Sequence, residues 1–272
     1  MAWQLQARRC NLSHVNKSDR SNIWHQWLRR PQRVWFRRAI FQVHLWSGIA
    51  FGLYVLFISV TGSVLVYRNE LYVAATPAEG VIRDGEVALG VRAVSTLIDL
   101  HDNLLAGDIG QSINGIFALA VLLVAMTGAI IWWPGIRRWR RSLTLRRGIG
   151  WKRFTWDLHS ATGFWGFAVI VLFAVSGLYL CFPESFHEFA NWLQPATVGN
   201  EGARLVDDIL YWLAFLHFGR INGIGIPCSG PGLCDQTIKA IWAIAGLLPA
   251  LMFVTGGLMW WNRVVKRWLR HA

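Results

Sequence analysis

Four of the eight histidines stand at related positions beside long apolar runs, and their placement is the strongest chemical signal in this sequence. His44 lies six residues past Arg38 and His159 six past Arg153, and each has a glycine four residues later, Gly48 and Gly163. His101 and His217 each follow a leucine and precede the next apolar run. An imidazole at the edge of hydrocarbon is costly unless something binds it. Neutral imidazole is a good axial ligand for haem iron, and two of them fill both axial positions, which favours electron transfer over oxygen activation. The pattern points to two b-type haems, one held by His44 and His159, the other by His101 and His217. Taken singly, any one of the four reads more simply as an interfacial histidine bonded to backbone or lipid. Zinc is the competing ligand reading, but cysteine and carboxylate partners at metal-site spacing are missing. His14, His25, His187 and His271 read as ordinary solvated residues. No paired carboxylates or Ser/His/Asp arrangement suggests hydrolysis.

The elements that must position these residues are membrane helices. The chain has 272 residues, 54% hydrophobic and only 15% charged, with 17 Trp, a composition that suits a membrane protein. Four runs, at about 41–67, 113–133, 159–182 and 238–261, are long enough to cross roughly 30 Å of hydrocarbon. The net charge of +12 is not a nucleic-acid footprint, because its distribution follows the runs. Of the 27 Lys and Arg, 21 fall in the segments 8–38, 137–153 and 263–270, whereas 13 of the 15 acidic residues fall in the other two connections, about 68–112 and 183–239. That alternation is the positive-inside pattern, which places both termini and the central loop on the cytoplasmic side of the membrane, against anionic lipid headgroups. The expected organisation is a basic tail (1–33), a first unit (34–135), a basic loop (136–154), a second unit (155–262) and a short tail (263–272). The first apolar run is too long for a signal peptide and is expected to act as an uncleaved anchor. Residues 1 to about 30 lack periodicity and are expected to be mobile.

The two units share offsets as well as orientation. Thr61-Gly62 lies 17 and 18 residues after His44, and Ser176-Gly177 lies at the same offsets after His159. Thr127-Gly128 precedes Trp132-Trp133 and Arg137-Arg138; Thr255-Gly256 precedes Trp260-Trp261 and Arg263. The reading is an all-α membrane protein of four transmembrane helices in two tandem two-helix repeats, with short periplasmic helical segments. A pseudo-two-fold axis along the membrane normal would set His44 against His159 near the inner face and His101 against His217 near the outer one. Gly48, Gly163, Gly62, Gly177, Gly128 and Gly256 would then offer small residues where porphyrin edges pass, although close helix packing explains glycine equally well. The tryptophans at the run ends are the expected interfacial belt. One amphipathic helix is expected near Leu205–His217, in a small periplasmic cap.

These residues resemble the PepSY-associated transmembrane family, whose members include bacterial inner-membrane ferrisiderophore reductases. The resemblance rests on His44-Leu-Trp-Ser-Gly, Thr61-Gly-Ser-Val-Leu-Val-Tyr, Leu100-His-Asp-Asn-Leu-Leu, Trp132-Trp-Pro-Gly, Trp156-Asp-Leu-His-Ser, Leu216-His-Phe-Gly-Arg and Trp260-Trp-Asn-Arg. It implies a haem-bearing membrane oxidoreductase that carries electrons to iron in a ferric siderophore or other ferric chelate on the periplasmic side, with His44, His101, His159 and His217 as the family's histidines. The electron donor, a quinone or a reductase, is not named by the residues. The family often carries a sizeable periplasmic domain between the first two spans; here only about 45 residues separate Tyr67 from Ile113. A generic electron conduit to a partner protein or quinone, and a cofactor-free permease or accessory subunit, are the rival readings. Cys228 and Cys234 close a short outer stretch that looks like an insertion, either a structural disulfide or a redox-active or metal-touching pair near the outer haem. Cys10 and Cys181 have no partner in sequence. Arg220, three residues after His217, suits a haem propionate at the outer face, and Lys152 and Arg153 suit the inner one; topology alone also accounts for such residues.

Overall fold

Backbone amides in hydrocarbon must be satisfied within their own segment, which a helix does. The computed structural model describes residues 26–29, 31–78, 80–83, 86–134, 139–146, 148, 150–195, 204–221 and 223–269. Helix α1 (Trp35–Leu65) is followed by a short α2 (Arg68–Ala75), a hairpin of β1 (Ile82–Arg83) and β2 (Glu86–Val87), α3 (Leu89–Asn103) and α4 (Gly107–Trp132). The second half has α5 (Trp151–Trp165), α6 (Phe167–Cys181), α7 (Pro183–Leu193) and α8 (Leu205–Phe218). It continues through a hairpin of β3 (Arg220–Ile221) and β4 (Ile224–Gly225) to α9 (Leu233–Gly246) and α10 (Leu248–Trp260). The two-residue hairpins pair Ile82 with Val87 and Arg220 with Gly225, so the all-α expectation holds for the bundle but misses these short turns. Expectations for residues 1 to 25, Cys10, His14, His25, Arg137, Arg138 and His271 lie outside the described residues.

By length and composition, three helices among the described residues are able to cross a membrane, or four when one bent pair is taken as a single span. The bent pair is the correction to the expected run 159–182: α5 and α6 meet at 61° across Gly166. A Cβ at Gly166 would lie 2.9 Å from the Thr162 carbonyl and 3.2 Å from Leu248 Cδ1. The backbone of Gly166 is ordinary, with φ of −85°, so its missing side chain serves this close approach rather than an unusual conformation. The helix of the second span begins at Gly107 rather than near 113, and the fourth is helical from Leu233, with a local break at Leu247 where α10 starts. Helix α8 lies at the expected segment but is apolar on most sides, with Ile209, Tyr211 and Trp212 exposed; α7, opened by Pro183 at its first turn, was not foreseen.

Packing runs opposite to that of a soluble core. Residues buried along α1 are Gly52, Ser59, Thr61 and Ser63, while Trp46, Leu53, Phe57 and Val60 are exposed. Lipid is as apolar as leucine, so helices gain by bringing small residues and hydroxyls together. Helix α1 packs between α4 and α10, α6 packs on α4 and α8, and α5 on α10.

Two turns aim the extramembrane histidine helices back at the bundle. Helix α3 ends in Leu104 and Leu105 with φ of 53° and 62°, and α8 ends in Gly219 with φ of 65°. The left-handed region costs a non-glycine residue roughly 1–2 kcal/mol. Gly219 also lies under Trp242, whose ring would be 2.5 Å from an added Cβ. Gly219→Ala should therefore lower thermal stability in detergent by on the order of 2 kcal/mol or more. Leu105→Gly, at a side chain 56% exposed, should leave the melting temperature unchanged or raise it.

Candidate functional site

The described structure brings the four histidines together in two pairs. His44 on α1 and His159 on α5 have ring centroids 6.5 Å apart at an interplanar angle of 77°. His101 on α3 and His217 on α8 have centroids 6.4 Å apart at 53°. The first pair lies at the basic end of the bundle, the second at the opposite end.

Each ring is tied through Nδ1 to a hydroxyl on a facing helix. The distances are 3.3 Å from His44 to Thr127, 2.9 Å from His101 to Thr61, 2.8 Å from His159 to Thr255 and 2.7 Å from His217 to Ser176. A hydroxyl has one proton, and in all four cases it is donated back along its own helix, to the carbonyls of Leu123, Phe57, Leu251 and Leu172. With the hydroxyl proton on that carbonyl, the hydroxyl oxygen accepts and Nδ1 carries the hydrogen. His44 adds a second acceptor, the Val124 carbonyl at 3.1 Å. Each neutral ring therefore keeps its lone pair on Nε2, the state that ligates a metal. Loss of hydration holds the His101 imidazole down at about 4 and the His217 imidazole at about 3, so both are neutral at neutral pH.

The pair spacing bears on what the rings can hold. Two imidazoles bound through Nε2 on opposite sides of one metal have centroids about 6.3 Å apart, whereas two ligands of a tetrahedral zinc come to about 5 Å. Among the described residues no three His, Cys, Asp or Glu side chains form a free metal-ion cluster. Two facing imidazoles suit a group that brings its own equatorial ligands, as porphyrin does.

The glycines act differently from the expectation. An added Cβ would meet a histidine Cε1 at 2.8 Å for Gly62, 3.1 Å for Gly128, 3.4 Å for Gly256 and 3.8 Å for Gly177. These four make room for the imidazoles that their neighbouring hydroxyls hold. Gly163 faces the Met252 methyl at 3.0 Å, and nothing lies within 4 Å of a Cβ at Gly48.

Other expected partners are placed as follows. Arg153 binds Asp157 at 2.9 Å, and Arg146 binds its other oxygen at 3.1 Å; Lys152 is exposed. The buried Asp157 thus takes up the charge that was expected to face an inner group. Arg220 is 6% exposed; Nη2 reaches the Leu65 carbonyl at 3.5 Å, and Nη1 is buried without a partner among the described residues. Nearby, Lys239 pairs with Asp235 and Glu70, joining α9 to α2. Cys228 and Cys234 form a disulfide with Cα atoms 5.7 Å apart, immediately before Asp235, and the Asp235 carboxylate accepts the Gly225 N–H. Cys181 is a free thiol among the described residues.

Two positioning residues escaped the sequence reading. The Asn114 amide donates to the carbonyls of His101 and Asp102 at 2.8 and 3.0 Å, and its oxygen accepts the Tyr54 hydroxyl. In the second half, the Trp242 indole donates to the Leu216 carbonyl at 2.8 Å. Both satisfy carbonyls orphaned near the ends of the helices that carry the outer histidines. The signal available for Asn114 was an amide at the start of an apolar run.

Fold and site define the class: a multi-pass helical membrane protein with facing imidazole pairs near both ends of its bundle. Residues 70–203 match the model of the family described as the PepSY-associated TM region. A Pseudomonas aeruginosa protein named as uncharacterized protein PA4219 is 32% identical over 88 residues. That alignment takes in 31% of this chain and spans only 21% of the relative's length.

Because the added methyl must displace an imidazole in proportion to its overlap, glycine-to-alanine changes should rank. Gly62→Ala should cost most, roughly 1–3 kcal/mol, then Gly128→Ala and Gly256→Ala, with Gly177→Ala close to neutral. Thermal unfolding of the four variants in one detergent checks the order; equal losses at all four would contradict the placement of the rings.

Proposed function

We propose that this protein is an inner-membrane oxidoreductase that holds two b-type haems and moves electrons across the bilayer. Its acceptor is ferric iron in a siderophore or other chelate at the periplasmic face, for iron uptake. The observation that carries this reading is the pair of His–His spacings, 6.5 and 6.4 Å, with all four Nδ1 atoms committed to acceptors. The recurrence of the same bonds at matching offsets supports reading the halves as tandem copies. Arg146 and Arg153 lie beside the His44–His159 pair's helices, which supports a cytoplasmic basic end and cytoplasmic termini.

When bound, haem supplies iron that alternates between ferric and ferrous states. His44 with His159, and His101 with His217, would hold it. Thr127, Thr255, Thr61 and Ser176 hold those rings in the Nδ1–H tautomer and at fixed orientation, so that the ligand set changes little with oxidation state. The apolar helices exclude water between the two ends. At the outer end, Arg220 presents a buried, unpartnered N–H among the described residues, suited to a propionate carboxylate. The short connection between α1 and α4 leaves little room for a substrate domain, so the ferric chelate would meet the outer end directly or through a partner.

Two observations keep rivals in view. The small outer connection also fits a conduit to a partner protein or quinone. The 61° break at Gly166 is the kind of discontinuity found in transporters, and it favours the permease reading over any other feature. Dithionite-reduced protein in proteoliposomes is expected to be reoxidised by an added ferric siderophore, followed by loss of the reduced α band. Reoxidation by quinone analogues alone would move the account to the conduit, and purified protein without a Soret band would leave the permease.

A further inference from the structure

Hydrogen-bonding groups shut away from water normally have partners, and the exceptions here are unevenly distributed. At the basic end they are all donors. Arg37 Nε and the indole nitrogens of Trp132, Trp133 and Trp260 are buried without a partner among the described residues. In hydrocarbon such donors lose their hydration with nothing in return. Interfacial anchoring, the expected role for these tryptophans, puts the indole N–H in the wet headgroup layer; a buried N–H does not do that. Trp261, 47% exposed, is the residue here that fits an anchor.

The donors are also placed by the same offsets as the histidine supports. Trp132 lies five residues past Thr127, which holds His44, and Trp260 five past Thr255, which holds His159. Five residues are about 7.5 Å of helix, so both indoles lie beyond the inner imidazole pair, toward the basic end. Trp132 stacks on Phe164 of α5, centroids 4.6 Å apart, and α10, which ends in Trp260, packs on both α1 and α5. The Arg37 guanidinium donates to the carbonyl of Ile131, next to Trp132. Arg153, the cation that the sequence offered for this place, is instead held by Asp157.

We propose that Arg37, Trp132 and Trp260 form a carboxylate-binding set for the propionates of the inner haem, with Trp133 as an additional donor; this rests on the haem reading above. Only donors are present, so the missing partner is an acceptor, and the cation among them calls for a negative one. A porphyrin held by His44 and His159 with its propionates toward the basic end would supply two carboxylates at the end of the bundle where these donors lie. The indoles contribute hydrogen bonds without charge and Arg37 a single positive charge, so the set steadies the propionates and keeps their field from over-stabilising ferric iron.

The test is redox titration of the haem-loaded, full-length protein, with redox-difference infrared spectra of the propionate carboxylates. Trp132→Phe, Trp260→Phe and Arg37→Gln should each retain two haems, lower the midpoint potential of the inner component alone, and shift its carboxylate bands. Arg37→Lys should restore part of the potential, and Trp261→Phe should change neither readout. Haem content retained with unmoved inner potential and carboxylate bands overturns the proposal while sparing the haem reading. So does loss of a tightly bound anionic lipid from the variants, seen by native mass spectrometry, without a change in potential. A wild-type protein that carries no haem overturns both.

Discussion

Four imidazoles set among apolar helices need a fixed hydrogen-bond partner, and this fold supplies one by a single repeated contact. A threonine or serine hydroxyl gives its proton to the carbonyl one turn back and accepts from Nδ1 of a histidine on another helix. The same bond thereby fixes tautomer, ring orientation and helix register. Such a bond is worth on the order of 1 kcal/mol, too little to hold helices together, but its geometric demand is strict. At Gly62 and Gly128 the glycine beside the hydroxyl makes room for the ring that the hydroxyl holds, since an added Cβ would lie 2.8 and 3.1 Å from it. Helix packing, in turn, is set by the small residues that let these approaches occur.

The two halves meet the same demand by unlike means. The outer histidine helix of the first half is held by an amide, Asn114, backed by Tyr54; that of the second is held by an indole, Trp242. The first half turns through left-handed leucines where the second uses Gly219. The first has continuous spans, and the second is bent at Gly166 against the break at Leu247. The charged link of Lys239 to Asp235 and Glu70, together with the Cys228–Cys234 loop, adds rigidity to the second half's outer end, beside Arg220. Pairing of the histidines therefore tolerates considerable change in its surroundings, provided each Nδ1 keeps its acceptor.

Much of this was legible in the residues. Apolar runs, alternating charge and the offsets from His44 and His159 to Thr61-Gly62 and Ser176-Gly177 foretold the helices and which residues recur. Their roles were harder to read. That Gly62 and Gly128 lie against imidazoles was not read from the sequence, because the atom opposite a glycine belongs to a helix remote in sequence. Gly166 gave no warning of a bend, since glycine is common in membrane helices. Arg153 was expected to face an inner group, although Asp157 four residues on is a standard helical partner. Burial of the Trp132 and Trp260 indole nitrogens depends on how helix ends meet, which local pattern does not encode.

The account stands or falls on whether each facing pair closes on one iron. Pyridine haemochrome quantitation of purified protein, read against chain concentration, measures that directly. Two haems b per chain are predicted for the wild type, one for His44→Ala and one for His217→Ala, with none in the double variant. Absence of haem from the wild type, or a stoichiometry that does not change in the single variants, would contradict it.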